Sequence, residues 1–164
     1  MPTAAIIGGG VIGSAWASRF LLNGWHVQFH DPAPNSEAVL NIVLDKARRW
    51  APEVYDQLPP EGALTLCGGI ADAVSGADWV QESTPERLEI KQAVLAEIQV
   101  SCAAEAIVAS STSGFMPSEL QAGSARPEQI LVAHPYNPVY LLPIVEVVPS
   151  AAVPEATVQR AEAL

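Results

Sequence analysis

Short apolar runs alternate along the chain with longer segments whose apolar positions recur at helical spacing. Such alternation is typical of parallel βαβ units, because a helix must return the chain to the starting edge of the sheet after each strand. The pattern predicts helices over Val11–Leu22, Ser36–Trp50 and Glu86–Val100, the last one opened by Thr84-Pro85. It predicts strands at Thr3–Ile7, Val27–His30, Leu64–Cys67, Trp79–Glu82, Ile107–Ser110, Ile130–His134 and Ile144–Val148.

These elements predict an α/β domain of the Rossmann type, with a doubly wound, mostly parallel sheet and helices on both faces. A chain of 164 residues, 49% hydrophobic and 16% charged, is large enough for one such domain with a continuous core. We assign residues 1–150 to this domain. The tail Val153–Leu164 starts another helix, so residues 151–164 are expected to lead towards a domain that the sequence does not include.

Charge and cysteine content narrow the classes of function. Eighteen acidic and eight basic residues give a formal net charge of −10, so the surface field repels polyanions and nucleic acid is not an expected partner. Cys67 and Cys102 show no metal-ligand spacing, and no metal site is predicted. Since no signal peptide and no membrane-spanning segment is recognisable, we expect a cytoplasmic protein that does not bind membranes.

The first chemical motif is a G-x-G-x-x-G that follows the first strand and opens the first helix. Gly8 permits a tight turn, Gly10 lets the backbone approach a pyrophosphate, and Gly13 lets the helix pack close to the strand. The helix start, at Val11 and Ile12, supplies N–H groups for the phosphates. Alone the motif is weak, because glycine-rich turns occur in many α/β proteins.

Asp31 strengthens the interpretation of the glycine motif. It follows the second strand, eighteen residues past Gly13, where a carboxylate accepts hydrogen bonds from the hydroxyls of an adenosine ribose. A carboxylate there also repels a 2′-phosphate, and the next residue is Pro32 instead of an arginine. The two features together predict NAD as the cofactor, in preference to NADP.

A second group of polar residues follows later strands. Ser113 lies in the loop after the strand Ile107–Ser110, His134 ends the next strand, and Glu146 lies twelve residues later in an apolar run. The loop and His134 are expected to face one crevice, and a buried Glu146 would need His134 as its partner. Such a pair suits a general base that takes a proton from an alcohol as hydride leaves carbon. The alternative is a core histidine beside an ordinary serine loop.

Several dispersed segments resemble the L-3-hydroxyacyl-CoA dehydrogenase superfamily. The run Ala133–Val139 with Val145–Val147 is similar to its H-x-x-N-P-V and VEV segments. Glu82–Lys91 and Ala109–Gly114 are similar to its P-E-x-x-x-x-K and S-x-T-S segments, in the same order. The resemblance covers nearly the whole chain and implies an NAD-dependent dehydrogenase of 3-hydroxy compounds.

The resemblance also implies roles for single residues. It makes His134 and Glu146 the catalytic dyad and Ser113 the residue that binds the substrate oxygen. It places Glu86 and Lys91 on the nicotinamide side of the cofactor site. A further residue, Asn137, would orient the turn at the active site.

Within the superfamily, STSGFMPSELQ and HPYNPVYLLPIVEVV resemble the L-carnitine dehydrogenases, which oxidise the 3-hydroxyl of L-carnitine to 3-dehydrocarnitine. Tyr136 and Tyr140 could bind a trimethylammonium group, although ordinary packing explains them as well. Lys46, Arg48 and Arg49 could instead serve the phosphates of coenzyme A, or form a solvated helix face. The open alternatives are a 3-hydroxyacyl-CoA or L-gulonate as substrate, and a dinucleotide-sensing or structural module that is not an enzyme.

Members of this superfamily carry a helical C-terminal domain that closes the cleft and forms the dimer. The sequence ends before such a domain. The resemblance therefore implies a homodimer that forms through the missing domain, and a fragment that binds NAD but turns over poorly.

Overall fold

The predicted strands form one sheet in the computed structural model, which describes residues 1–163. The strands are β1 (Thr3–Ile7), β2 (His26–His30), β3 (Leu64–Leu66), β4 (Trp79–Glu82), β5 (Ile107–Ser110), β6 (Ile130–Pro135) and β7 (Val145–Val148). Their order across the sheet is β3-β2-β1-β4-β5-β6-β7. Every neighbouring pair is parallel except β6 and β7, which are antiparallel. The doubly wound, mostly parallel Rossmann sheet is confirmed.

Within residues 1–163, six α-helices connect and cover these strands. They are α1 (Val11–Leu22), α2 (Ser36–Trp50), α3 (Ile70–Val74), α4 (Leu88–Ser101), α5 (Pro117–Leu120) and α6 (Glu155–Glu162), with 3₁₀ turns at Ala51–Glu53 and Pro127–Gln129. The predicted bounds of α1 and α2 are confirmed. The sequence did not predict α3 and α5, because helices of five and four residues are too short to display helical spacing.

The predicted start of α4 is wrong. The helix begins at Leu88, with Arg87 at the N-cap position, and not at Glu86. The Thr84-Pro85 pair does not open it, because the N–H and the hydroxyl of Thr84 both donate to the carboxylate of Glu82, 2.6 Å away in each case. Thr84 therefore belongs to the polar group at the end of β4.

The core lies on both faces of the sheet, as predicted. Alternate residues of a strand point to opposite faces, so Ala4 and Ile6 enter one apolar cluster while Ala5 and Ile7 enter the other. The first cluster is completed by side chains of α1 and α2, and the second by side chains of α3, α4 and α5. Because β1 to β6 run parallel, their carboxyl ends lie at the same edge of the sheet, and the polar residues lie there.

The tail contributes α6, which lies against β7. Val153 and Ala161 are buried in the cluster on the α1 face, and the Arg160 guanidinium donates to the carbonyl of Glu105 at 2.8 Å. The predicted domain boundary at residue 150 stays a prediction, and Leu164 lies outside the described residues. None of the helices within residues 1–163 has the length and apolar character needed to cross a membrane.

Candidate functional site

The glycine motif forms a tight connection between β1 and α1. Gly8 has a φ of +101°, and a Cβ at this position would lie 2.6 Å from the carbonyl carbon of Ser83. A Cβ on Gly13 would lie 1.8 Å from the carbonyl oxygen of Gly8. Neither position has room for a side chain, so the helix can approach the strand only with glycine at both.

Gly10 differs from these two glycines because it faces open space. A Cβ there would meet nothing within 4 Å. Gly10 is the N-cap of α1 and has no side chain with which to cap the helix. The first-turn N–H groups, at Val11 and Ile12, are therefore available to a phosphate at the positive end of the helix dipole.

A cleft of about 820 Å³ lies in front of this helix start. Its lining includes Gly8 and Gly10 from the turn, Asp31 after β2, and Ile90 and Val94 from α4. Its volume is within the range of small-molecule sites, about 300–1,000 Å³. Open space at Gly10, free N–H groups and an apolar wall opposite them fit a dinucleotide, with its pyrophosphate at α1.

Asp31 is fixed at the rim of the cleft by two backbone N–H groups. Its Oδ2 accepts from Gly9, and its Oδ1 accepts from Ala33 at 2.7 Å. Each carboxylate oxygen keeps a further lone pair for a ribose hydroxyl. Of the described residues that line the cleft, none is a lysine or arginine that could bind a 2′-phosphate. The geometry is that of an NAD site.

His134 and Glu146 face each other across the antiparallel pair β6–β7, where they are register partners. The Nδ1 atom of His134 lies 2.8 Å from Oε2 of Glu146. A neutral imidazole that donates from Nδ1 carries its lone pair on Nε2, which is then free to accept a proton. The pairing predicted from the sequence is present.

The expected burial of Glu146 is wrong. Its side chain is 53% exposed and that of His134 is 27% exposed. The cause is that β7 is an edge strand whose residues alternate: Val145 and Val147 pack against the core, whereas Glu146 and Val148 point away from it. The His134–Glu146 pair is therefore accessible to solvent.

Tyr136 is a third member of this group. Its hydroxyl donates to Oε1 of Glu146 at 3.0 Å, and its ring centroid lies 5.7 Å from that of His134. The hydrogen bond from His134, followed by that from Tyr136, lowers the pKa of Glu146. The same bond to Glu146 raises the pKa of Tyr136. The favoured state is a charged carboxylate held by a protonated phenol.

A cavity of about 190 Å³ lies beside the dyad. Ser113 and Gly114 line one side, and His134 and Glu146 line the other. The serine loop and the histidine therefore meet as the sequence predicted, and the exposed Ser113 is placed to contact a ligand there.

Three other residues predicted at the active site, Tyr136, Asn137 and Tyr140, do not belong to this cavity lining. Asn137 is exposed in the turn after β6. Tyr140 is partly buried and packs on the core beside Leu22 and Ala47. For Tyr140 the structure therefore supports the alternative given from the sequence, which is ordinary packing.

Sequence reasoning missed Glu82, which is fully buried at the end of β4. Its two oxygens lie 3.0 and 3.1 Å from the Nζ of Lys91, whose side chain is 1% exposed. Glu82 also accepts hydrogen bonds from the hydroxyls of Thr84 and Ser110. The signal available in the sequence was a lone lysine among apolar positions of α4, which requires a buried carboxylate partner.

Glu86 connects this buried pair to the serine loop. Its Oε2 lies 3.3 Å from the Nζ of Lys91, while its Oε1 accepts from the Thr112 hydroxyl at 2.5 Å and from the Ser113 N–H at 3.1 Å. Burial alone would raise the pKa of Glu86, but the Thr112 hydrogen bond and the charge of Lys91 outweigh it and lower the pKa. Lys91 thus lies beneath the loop and reaches it through Glu86.

The family model described as the NAD-binding domain of 3-hydroxyacyl-CoA dehydrogenase matches residues 3–164. The chain belongs to this family. Because the match is to the family's NAD-binding domain, NAD is the cofactor and the predicted superfamily is confirmed.

The names of similar proteins are more specific than the description of the family. The chain is 54% identical over 163 residues to an L-carnitine dehydrogenase/betainyl-CoA thioesterase of Ruegeria pomeroyi, which covers 99% of the chain and 34% of that protein. It is 46% identical over 166 residues to an L-carnitine dehydrogenase of Oceanobacillus iheyensis, covering 98% of the chain and 53% of that protein. The chain thus spans between a third and about half of the length of these relatives.

Solved structures show the same fold. A dehydrogenase of 5-formyl-3-hydroxy-2-methylpyridine 4-carboxylic acid, described as an NAD⁺-dependent dismutase, superimposes with a TM-score of 0.91 at 33% identity, covering 99% of this chain and 53% of that one. A 3-hydroxybutyryl-CoA dehydrogenase of Escherichia coli gives a TM-score of 0.83 at 22% identity, covering 98% and 34%. The second likeness concerns the fold alone.

The glycine turn generates a test with a matched control. Gly13→Ala places a methyl group against the Gly8 carbonyl and should lower the free energy of unfolding by about 1–3 kcal/mol or more. Gly10→Ala should cost about 1 kcal/mol or less, because its methyl group enters open space. It should nevertheless weaken NADH binding at least about tenfold by keeping the pyrophosphate away from the backbone. Urea unfolding and NADH fluorescence titration measure the two effects, and unchanged NADH affinity in Gly10→Ala would place the phosphates elsewhere.

The buried ion pair generates a second test. Lys91→Met leaves Glu82 charged without its partner and should lower the free energy of unfolding by about 3–5 kcal/mol. The double variant Glu82→Gln/Lys91→Met leaves no fully buried charge without a partner, because the remaining carboxylate of Glu86 is 45% exposed, and it should be more stable than Lys91→Met alone. Urea unfolding at neutral pH compares the three proteins. A double variant that is less stable than Lys91→Met would contradict this account.

Proposed function

We propose that the chain is the NAD-binding part of an enzyme that oxidises the 3-hydroxyl of L-carnitine to 3-dehydrocarnitine. The observation that carries this proposal is the 54% identity, over 99% of the chain, to a relative named for that activity. Further support comes from the His134–Glu146 pair beside a serine loop, which provides a base where an alcohol would bind. A module that only senses or binds a dinucleotide has no need of that pair.

In the proposed reaction His134 is the general base. Its Nε2 removes the hydroxyl proton of the substrate while its Nδ1–H continues to donate a hydrogen bond to Glu146. The carboxylate fixes the tautomer of the imidazole and stabilises the positive charge that the ring gains. Glu146 keeps its negative charge through this step because its hydrogen bonds lower its pKa.

Ser113 is proposed to hold the reacting oxygen. It lies in the same cavity lining as His134, and its N–H is fixed by Glu86 at 3.1 Å. A hydroxyl donor at this point stabilises the oxygen as the alcohol becomes a ketone. When NAD is bound, it supplies the chemistry of hydride acceptance.

The charges near the cavity favour a cationic substrate over a thioester of coenzyme A. The carboxylates of Glu146 and Glu86 are 53% and 45% exposed on this side of the molecule. Two of the three cations that could have served coenzyme A have other partners: Arg48 pairs with Glu61 and Asp45, and Arg49 lies over the ring of Trp50. None of the described residues lining the cavity is basic except His134.

The substrate assignment is tested by offering three alcohols to the protein at its full natural length. NADH formation should be rapid with L-carnitine and slow with L-3-hydroxybutyryl-CoA and L-gulonate, and NADP should replace NAD poorly. Preference for the thioester or the sugar acid would overturn the carnitine assignment and leave the dyad standing.

The role of His134 is tested separately. His134→Gln should reduce the rate of hydride transfer by about 10²–10⁴-fold, because no base remains to take the hydroxyl proton. NADH affinity should stay within about twofold, since His134 does not line the cofactor cleft. Stopped-flow absorbance and NADH titration give the two numbers. Loss of NADH binding in this variant would make His134 a structural residue.

A further inference from the structure

The Glu146 carboxylate is held at both of its oxygens. Oε2 lies 2.8 Å from His134 Nδ1, and Oε1 accepts from the Tyr136 hydroxyl at 3.0 Å. We propose that Tyr136 is a positioning residue, which fixes the Glu146 carboxylate so that its other oxygen stays on His134. The proposal rests on the proposed function, because it concerns the proton transfer assigned to His134.

The exposure of Glu146 explains why a second anchor is needed. A carboxylate that is 53% exposed on an edge strand competes with water for its partner, and an exposed charge pair contributes only about 0–1 kcal/mol. Its long side chain also loses rotamer freedom when it is fixed. One contact to His134 would leave the carboxylate free to rotate. A donor on the second oxygen removes that rotation.

The strand register places Tyr136 where it can act. His134 and Glu146 are register partners in the β6–β7 pair. Tyr136 lies two residues beyond His134, on the same face of the strand, and its N–H donates to the carbonyl of Ile144 at 3.4 Å. The ladder therefore continues past β6, and Tyr136 becomes the diagonal neighbour of Glu146, within reach of a long side chain.

The position of the hydroxyl separates this role from that of a cation-binding ring. Tyr136 is 43% exposed, so its phenol could point to water, but it is directed at the carboxylate. A role through the ring would survive removal of the hydroxyl. A role through the hydroxyl would not, although the ring stays in place.

The consequence for the reaction concerns the tautomer of His134. Only the form with its proton on Nδ1 presents an unprotonated Nε2 to the substrate. A carboxylate locked on Nδ1 selects that form. When the carboxylate is no longer fixed on Nδ1, the imidazole populates both tautomers. A smaller fraction of the protein then has an unprotonated Nε2 that can accept the substrate proton. The loss should therefore be seen in kcat and not in KM.

The kinetic test compares two variants of the full-length protein with L-carnitine. Tyr136→Phe keeps the ring and should lower kcat about 5- to 10-fold, within the range expected for the loss of one typical hydrogen bond, with KM little changed. In a Glu146→Gln background the same change should have little further effect, because the two residues act as one unit. A Tyr136→Phe variant with wild-type kcat, together with a Tyr136→Leu variant of raised KM, would overturn the proposal in favour of a cation-binding ring.

A second measurement on this chain does not depend on turnover. The chain has three histidines, and long-range ¹H–¹⁵N spectra at alkaline pH report the tautomer of each, with His134→Gln assigning the signal. His134 should be the Nδ1–H form in the wild type and a mixture in Tyr136→Phe, with Glu146→Gln as positive control. A Tyr136→Phe spectrum identical to wild type would overturn the proposal. A mixture in this variant, combined with no oxidation of carnitine by the full-length wild-type protein, would support Tyr136 and contradict the proposed function.

Discussion

Lys91 carries a positive charge into a part of the protein that excludes water, and a buried ammonium persists only where carboxylates and carbonyls surround it. Glu82 meets it from β4, and Glu86 meets it from the segment before α4. Glu82 also accepts a hydrogen bond from the hydroxyl of Thr84, which lines the cofactor cleft. Glu86 accepts one from the hydroxyl of Thr112 in the serine loop. One buried charge thus fixes the two sides of the site relative to each other.

The His134–Glu146 pair arises from the antiparallel pairing of β6 with β7. A parallel β7 would have placed its residues in a different register against β6, whereas the reversed strand sets Glu146 directly opposite His134. The same reversal brings the chain back beside Tyr136. The imidazole of His134, the carboxylate of Glu146 and the phenol of Tyr136 therefore lie together at the antiparallel end of the sheet, while the cofactor cleft lies in its parallel half.

Much of this could be predicted from the sequence, for identifiable reasons. The bounds of α1 and α2 follow from local spacing. The pairing of His134 with Glu146 was predicted from an expected burial of Glu146 that the structure does not have, and it arises because the β6–β7 register sets the two residues opposite each other. The exposure of Glu146 could not be foreseen, because an apolar run does not reveal that β7 lies at an edge. The Glu82–Lys91 pair was hidden too, since it joins a strand to a helix whose packing the sequence does not specify.

The open position of Glu146 makes the strength of the dyad dependent on what covers it. In water, a high dielectric constant weakens the attraction between imidazolium and carboxylate, and mobile ions weaken it further. A molecule seated in the small cavity against Ser113 and His134 would displace that water and lower the local dielectric constant. An arriving ligand would therefore strengthen the electrostatic contact between His134 and Glu146.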